Sequence, residues 1–477
     1  MAAADRSTSP AAPQPTVSRS PLGPDAVQVP VVIVGGGACG LTAALALHRL
    51  GVTSVVLERD EAPSGSTALS SGFIPAAGTQ AQARQGIEDA PEAFAQDIRA
   101  KSKGQSDPTL VQAYTEAIAP ALDALETHHG IAWQVLDDFL YPGHRVHRMH
   151  AVAEKTGAAL MQRLLRASDE AGVAVLTQAR VTTLHVDASE RILGVSYLRP
   201  DGALEQVACD ALILACNGFG GNPERVQQFL PEMAQAMYAG HVGNDGSALA
   251  WAEALGAQLA DMQAYQGHGS WAVPQGALIS WALMMEGGVQ INARGARFHD
   301  ETQGYSEAAM AVLAQPGAMA WNVFDAPLLR LAEGFPDFVG AREAGAVQTC
   351  ADVQALARVL GCEIAALQAT LDAVRAGTDA QTGRVFKRSL QWPLHAVRVT
   401  GALFHTQGGL AVDAHCRVLR TDGRPFANLL AAGGAARGVS GNAVWGYLSG
   451  NGLLSAVAGG HIAAHTAAQQ MVSQELS

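Results

Sequence analysis

No two cysteines are spaced as CxxC, and no CxxCH occurs. Cys39, Cys209, Cys216, Cys350, Cys362 and Cys416 therefore form neither an iron–sulfur run nor a haem attachment site, and they read as buried, reduced thiols. A basic excess is also missing. With 31 Lys and Arg against 43 Asp and Glu the net charge is -12, which argues against a nucleic-acid partner. No stretch approaches 18 apolar residues, so no membrane span is expected. The opening MAAADRSTSPAAPQPTVSRSPLGPDAVQVP has neither an apolar core nor a twin arginine. It reads as a disordered tail over 1–28 rather than a signal peptide. These absences together make a soluble, cytoplasmic protein in a reducing compartment the expectation.

What the chain has in quantity is glycine and apolar residues. Its 48% hydrophobic content suits a large core, and its 477 residues suit two to four folding units. The 51 glycines exceed the usual ~7% and suggest backbone packed against something flat or anionic.

The runs VVIV (31–34) and SVVL (54–57) suit buried parallel strands, with a helix pattern from Leu41 to Leu50 between them. After Ser106-Asp107-Pro108, apolar residues at Leu110, Tyr114, Ile118, Leu122 and Leu125 predict a long helix. The segment from Arg191 reads as two strands around Pro200-Asp201-Gly202 followed by a buried strand, and Asp422-Gly423 marks another hairpin. The fold expected is α/β, α+β overall. A first nucleotide-binding part spans 29–264, an inserted domain 265–395 and a returning second part 396–470.

Gly35-x-Gly37-x-x-Gly40 directly follows the first strand. Gly35 permits a tight turn, Gly37 lets a pyrophosphate touch backbone, and Gly40 lets helix and strand pack closely. The helix amino end would then face the phosphates. Glu58 ends the second strand, where its carboxylate can accept both ribose hydroxyls of an adenosine and would repel a 2′-phosphate. Spacing alone does not decide between FAD and NAD.

Further stretches decide it by likeness: GSTALSSGFIPAAGTQAQARQGIED (65–89), ALILACNGFGGNPE (211–224), GNDGSALAWAEALGAQLADM (243–262), INARGARFHDE (291–301), HTQGGLAVD (405–413) and LLAAGGAARGVSGN (429–442). With these, the chain resembles the FAD-binding family of fumarate reductase flavoproteins and 3-ketosteroid dehydrogenases. The resemblance implies FAD held between a split Rossmann-type domain and an inserted capping domain. By it, Gly35, Gly37 and Gly40 would meet the pyrophosphate and Glu58 the ribose. Ser66, Thr67, Ser71 and Gly72 would lie along the flavin, Val181 would meet the adenine, and Gly218 and Gly433 would flank the cofactor. Ser66 stands where succinate dehydrogenases carry a flavin-linked histidine, so the FAD would be non-covalent. Gly434 stands where the family often has a glutamate that holds the ribityl chain.

The last helix follows GYLSGNGL (446–453). By the resemblance its amino end points at the flavin, with Gly450, Asn451, Gly452 and Leu453 serving the cofactor. The fumarate reductases place one arginine four residues after the motif glutamate and another just ahead of this helix. Here Tyr305 stands four residues after Glu301, and Tyr447 stands at or beside the second position. Tyr305 with Tyr447-x-Ser449 is similar to the 3-oxo-5α-steroid 4-dehydrogenases. That likeness implies that Tyr447 binds a ketone oxygen while Ser449 and Tyr305 handle the α-proton.

His405 opens HTQGG as in the fumarate reductases, where it helps bind a carboxylate, so a cyclic ketone bearing an acid group is one substrate class and a plain cyclic ketone another. The reaction expected is desaturation beside the ketone of a 3-ketosteroid or related cyclic ketone, with an alkene or unsaturated-carboxylate reductase as the alternative and a non-catalytic electron-passing subunit as a third reading. An electron acceptor is required in the first and is not identified by the sequence. YPGHRVHRMH (141–150) contains no acid, so it reads as a lid rather than a metal site.

Overall fold

Val31, Val32 and Ile33 are fully buried, which covers both faces of their strand with other elements. That strand, Val27–Val34, is central to a nine-stranded sheet in the computed structural model, which describes residues 14–475 and their side chains through Val472. It runs parallel to Ser54–Leu57 on one side and to the end of Leu204–Leu214 on the other. Ala38–Arg49 is the intervening helix. Gly35 has φ +108°, and a Cβ there would stand 2.6 Å from the Ala215 carbonyl, so the turn out of the strand requires glycine. A Cβ on Gly40 would stand 1.9 Å from the Gly35 carbonyl oxygen, which is how closely the helix seats on that turn.

The chain returns to this sheet late. Pro425–Ala431 pairs parallel with Leu204–Leu214, and the last helix, Asn451–Glu475, packs against Ala38–Arg49. Asp107 caps the helix Pro108–His129 as its sequence predicts, accepting from the amides of Thr109 and Leu110 at 3.0 and 3.1 Å. The fold is mixed α/β, with the expected split nucleotide-binding part and a second, inserted sheet.

Three expectations change. Residues 1–13 of the expected tail lie outside the described residues. Within 14–28, however, Thr16–Ser18 is a parallel edge strand on Arg180–Val186, the Thr16 and Thr183 hydroxyls are 2.9 Å apart, and Val27 opens the central strand. Polar, proline-rich composition hid a segment held by backbone pairing. Second, the segment after Asp201-Gly202 is one continuous strand, Leu204–Leu214. Its first half pairs antiparallel with Ile192–Leu198 and its second half joins the parallel sheet. Third, a boundary at 395/396 cuts through the strand Leu394–Thr406, which is the central member of the inserted seven-stranded sheet. That sheet also contains Tyr265–Ala272, Val289–Ile291 and Met319–Asp325. Leu394–Thr406 runs on from it to Thr406 and carries His405 to the junction of the two units.

Candidate active site

A long cavity occupies that junction. One end is built from the glycine turn and its neighbours: Gly35, Gly37, Glu58, Ser66, Thr67, Ser71, Gly72 and Val181 all line it. A Cβ on Gly37 would meet only Thr67 Oγ1, at 3.7 Å, and would otherwise project into the cavity. This is a cradle that bare backbone leaves free, at the amino end of a helix, and it fits a pyrophosphate. Glu58 Oε2 accepts from the Gly36 amide at 2.8 Å and Oε1 from the Asp60 amide at 2.9 Å. The carboxylate is thereby fixed at the wall with lone pairs left for a diol. Ser66 Oγ accepts from Asn244 Nδ2 at 2.8 Å. Charges at this end are paired: Arg59 and Arg180 both meet Asp245, at 3.0 and 3.4 Å.

Some named residues lie elsewhere. Gly40 is beneath the turn and does not line the cavity. Nor does Gly218: a Cβ there would strike Thr406 Oγ1 at 2.0 Å, and its neighbours Cys216 and Asn217 form the wall instead. Asn451 is fully buried and donates from Nδ2 to Ser440 Oγ at 3.1 Å, so it ties the start of the last helix to the protein. Gly433, Gly434, Gly450, Gly452 and Leu453 do line the cavity, and they bring the helix amino end to it.

The other end gathers hydroxyl groups. Tyr305 begins the helix Tyr305–Leu313 of the inserted unit, while Tyr447 and Ser449 come from the approach to the last helix. The two phenol rings meet edge to face with centroids 6.0 Å apart, and both lie in one apolar cluster of the inserted unit. Burial pushes the Tyr305 phenol up to about 12, although hydrogen bonding from Ser449 and Tyr447 acts to lower it. Tyr447 is raised well above the ordinary phenol range, by burial first and then by the neighbouring Tyr305. Both phenols keep their protons at neutral pH, and of the two oxygens Tyr305 is the one that hydrogen bonding favours as the anion.

His405 also faces this end. Gln407 Nε2 donates to its Nδ1 at 2.8 Å, and burial lowers its pKa to about 4. The ring is neutral at neutral pH, with Nε2–H as a donor, and so supplies no charge for a carboxylate. No arginine or lysine lines this end of the cavity among the described residues.

Sequence reading missed several neighbours. His268 stacks on Tyr305 with centroids 4.8 Å apart at 19°, and Trp281 closes on both rings edge-on. They come from a stretch with no motif, so only the fold brings them in. His144 is 5% exposed, and its Nε2 lies 2.9 Å from the Ser449 carbonyl oxygen. Tyr141 and Met149 of the stretch 141–150 line the cavity, while His144, Arg148 and His150 are buried behind it. The Arg148 side chain is fully buried and gripped by Asp89 at 2.9 Å and Asp97 at 2.8 Å, acids supplied from outside the stretch.

The family described as FAD binding domain matches residues 30–453. A probable fumarate reductase of Shewanella frigidimarina is 28% identical over 454 residues, 93% of this chain and 75% of that protein. A 4-oxocyclohexanecarboxylate 2-dehydrogenase of Sinomonas cyclohexanicum is 25% identical over 513 aligned residues, 85% of this chain and 87% of that protein. Among solved structures, the open conformation of a flavocytochrome c3 fumarate reductase superposes with a TM-score of 0.79 at 27% identity, covering 94% of this chain and 79% of that one. No helix among the described residues is long and apolar enough to cross a membrane. With a family match over most of its length and a cavity that fits the cofactor, the chain belongs to the FAD binding domain family and is an FAD-dependent oxidoreductase.

Proposed function

We propose that the protein desaturates the carbon pair beside the carbonyl of a cyclic ketone. One observation carries this: the hydroxyl groups of Tyr305, Tyr447 and Ser449 converge at a cavity end that holds no cation. Tyr447 donates to the ketone oxygen and so acidifies the α-carbon. Tyr305, its oxygen supported by Ser449, takes the α-proton. FAD, which Gly35, Gly37, Glu58, Ser66 and Thr67 would hold non-covalently, would supply the two-electron acceptor for the β-hydride. The ketone CH–CH pair thus becomes C=C, one proton passes to the phenolate, and two electrons leave to an external acceptor. His268 and Trp281 hold the Tyr305 ring and exclude water. The relative named for 4-oxocyclohexanecarboxylate supports a ketone substrate class.

The reverse reading, an alkene reductase, is favoured by the higher identity to the fumarate reductase. That reading needs a grip on a carboxylate, for which arginine pairs are suited. Tyrosines stand at Tyr305 and Tyr447 instead, and His405 is uncharged. Mixing the oxidised protein anaerobically with a saturated 3-ketosteroid or cyclohexanone separates the two. The flavin is expected to bleach, and fumarate is expected to be a poor oxidant of the reduced protein. Rapid reduction of fumarate with no bleaching by any cyclic ketone would overturn the desaturase in favour of the reductase.

A second expectation concerns the cofactor. Glu58→Ala removes the ribose acceptor and leaves the Gly36 amide without its partner. FAD affinity is expected to fall by about 1–3 kcal/mol, measured by the flavin released on dilution. An unchanged dissociation constant would remove Glu58 from the site.

A further inference from the structure

The charged groups lining the cavity are distributed unevenly. Glu58, Arg59, Asp60, Arg180 and Asp245 all stand at the nucleotide end. Arg59 contacts Asp60 and Asp245, Arg180 contacts Asp245, and His241 meets Asp60 at 3.1 Å. At the ketone end one charged side chain lines the wall, Asp337, in the first turn of the helix Pro336–Glu343. It makes no ion pair or hydrogen bond among the described residues. Its surroundings are apolar: Phe335 beside it in the chain, with Leu278 and Trp281 on the same wall. The two histidines of this end are neutral, because burial lowers His405 to about 4 and His268 to about 3. The ketone end therefore carries one negative charge and nothing to balance it.

We propose that Asp337 sets the charge of the substrate, so that the site takes a cyclic ketone bearing a donor group, an ammonium or a hydroxyl, away from its carbonyl and rejects ketones bearing a carboxylate. The inference rests on the ketone desaturase reading and adds a substrate class to it. The physical reason is direct. Asp337 is exposed and lines the cavity, so a substrate that enters this end displaces water there and brings its own charge beside the carboxylate. A carboxylate on the substrate meets a like charge with no counter-ion. An ammonium or hydroxyl supplies the hydrogen bond that Asp337 lacks. Partial desolvation by its apolar neighbours raises the carboxyl of this exposed acid above the ordinary range.

The test uses the FAD-loaded protein with cyclohexanone as the neutral reference and three 4-substituted probes: 4-aminocyclohexanone, 4-hydroxycyclohexanone and 4-oxocyclohexanecarboxylate. The kcat/KM of each is measured with an artificial electron acceptor. Wild type is expected to prefer the amine over the carboxylate. Asp337→Asn is expected to shrink that ratio about fivefold, the scale of a charge contact at about 4 Å in a water-like surrounding, and Asp337→Lys to reverse it. Ratios are taken within one variant, so a loss of folded or loaded protein cancels. A wild-type preference for the carboxylate overturns the proposal whatever the variants do. So does a change of ratio smaller than threefold in both variants. If cyclohexanone reduces the flavin while the ratio stays fixed, only the role of Asp337 falls. If no ketone reduces the wild-type flavin, the desaturase reading falls and takes this proposal with it.

Discussion

Tyr305→Phe is expected to turn over a cyclic ketone about 10²–10⁴-fold more slowly than wild type while retaining its FAD, the span a positioned acid–base group contributes. The substitution removes one oxygen and little else. The ring keeps its stack on His268 and its edge contacts with Trp281 and Tyr447. The lost oxygen is the one that Ser449 supports, and in the proposed mechanism it takes the α-proton. Because burial pushes this phenol up to about 12, its base form is scarce at neutral pH. Wild-type kcat/KM should therefore keep rising with pH through the alkaline range, and this rise should be missing in Tyr305→Phe. Steady-state rates from pH 6 to 10 with an artificial acceptor check both points. A loss below about tenfold, or an unchanged pH slope, would reduce Tyr305 to a pocket-lining ring.

How much of this site was legible in sequence depended on whether a residue sits in a local pattern. The nucleotide end was readable because its parts are close in sequence: a strand, Gly35-x-Gly37-x-x-Gly40, a helix, a second strand and Glu58. The steric demand behind each glycine is local too. Tyr305, Tyr447 and Ser449 were readable only by likeness to family motifs, since nothing in the spacing of Tyr305 and Tyr447 says that their rings meet. His268 and Asp337 carry no signal in the sequence: each belongs to a stretch without a motif and reaches the cavity only through the fold. His144 lies in the His and Arg run 141–150, but nothing in that run says that its ring meets the Ser449 carbonyl. The stretch 141–150 shows the same limit: it has no acid of its own, yet Asp89 and Asp97, 59 and 51 residues earlier, neutralise Arg148 inside the protein. The tail was misread for a related reason: the partner of Thr16–Ser18 is Arg180–Val186, and edge pairing is a backbone property that composition does not report.

The largest expected effect on stability lies behind the wall that carries Tyr305 rather than on it. Glu301 is fully buried, with Arg297 and Arg384 each 3% exposed. Arg297 Nε donates to Glu301 Oε1 at 3.0 Å and Arg384 Nη1 to Oε2 at 2.8 Å, while Arg297 also pairs with Asp379. The Gln290 amide donates to Glu301 Oε1 at 2.8 Å, and Trp281 Nε1 donates to the Glu301 carbonyl at 3.0 Å. One carboxylate thus joins two guanidiniums and the strand Val289–Ile291, while the backbone of the same residue holds an aromatic of the ketone end. Glu301→Ala leaves Arg384 with no carboxylate and Arg297 with only Asp379, in a space that water does not reach. Removing one partner of such a buried group costs about 3–5 kcal/mol, and the loss should show as a lowered midpoint in urea. Burial pushes the Glu301 pKa up, but the Arg297 hydrogen bond and the charges of Arg384 and Arg297 outweigh it, and the net shift is downward from 4.5. A depressed folded-state pKa contributes stability above the unfolded value and loses it as pH falls through the folded one. The destabilisation of Glu301→Ala relative to wild type should therefore be full at pH 7 and shrink below about pH 4.5. Tyr305 begins its helix four residues further on, so the variant should also lose turnover with Tyr305 itself intact. A midpoint within 1 kcal/mol of wild type at pH 7, or a difference that stays constant down to pH 3, would show that Glu301 does not hold this wall in place.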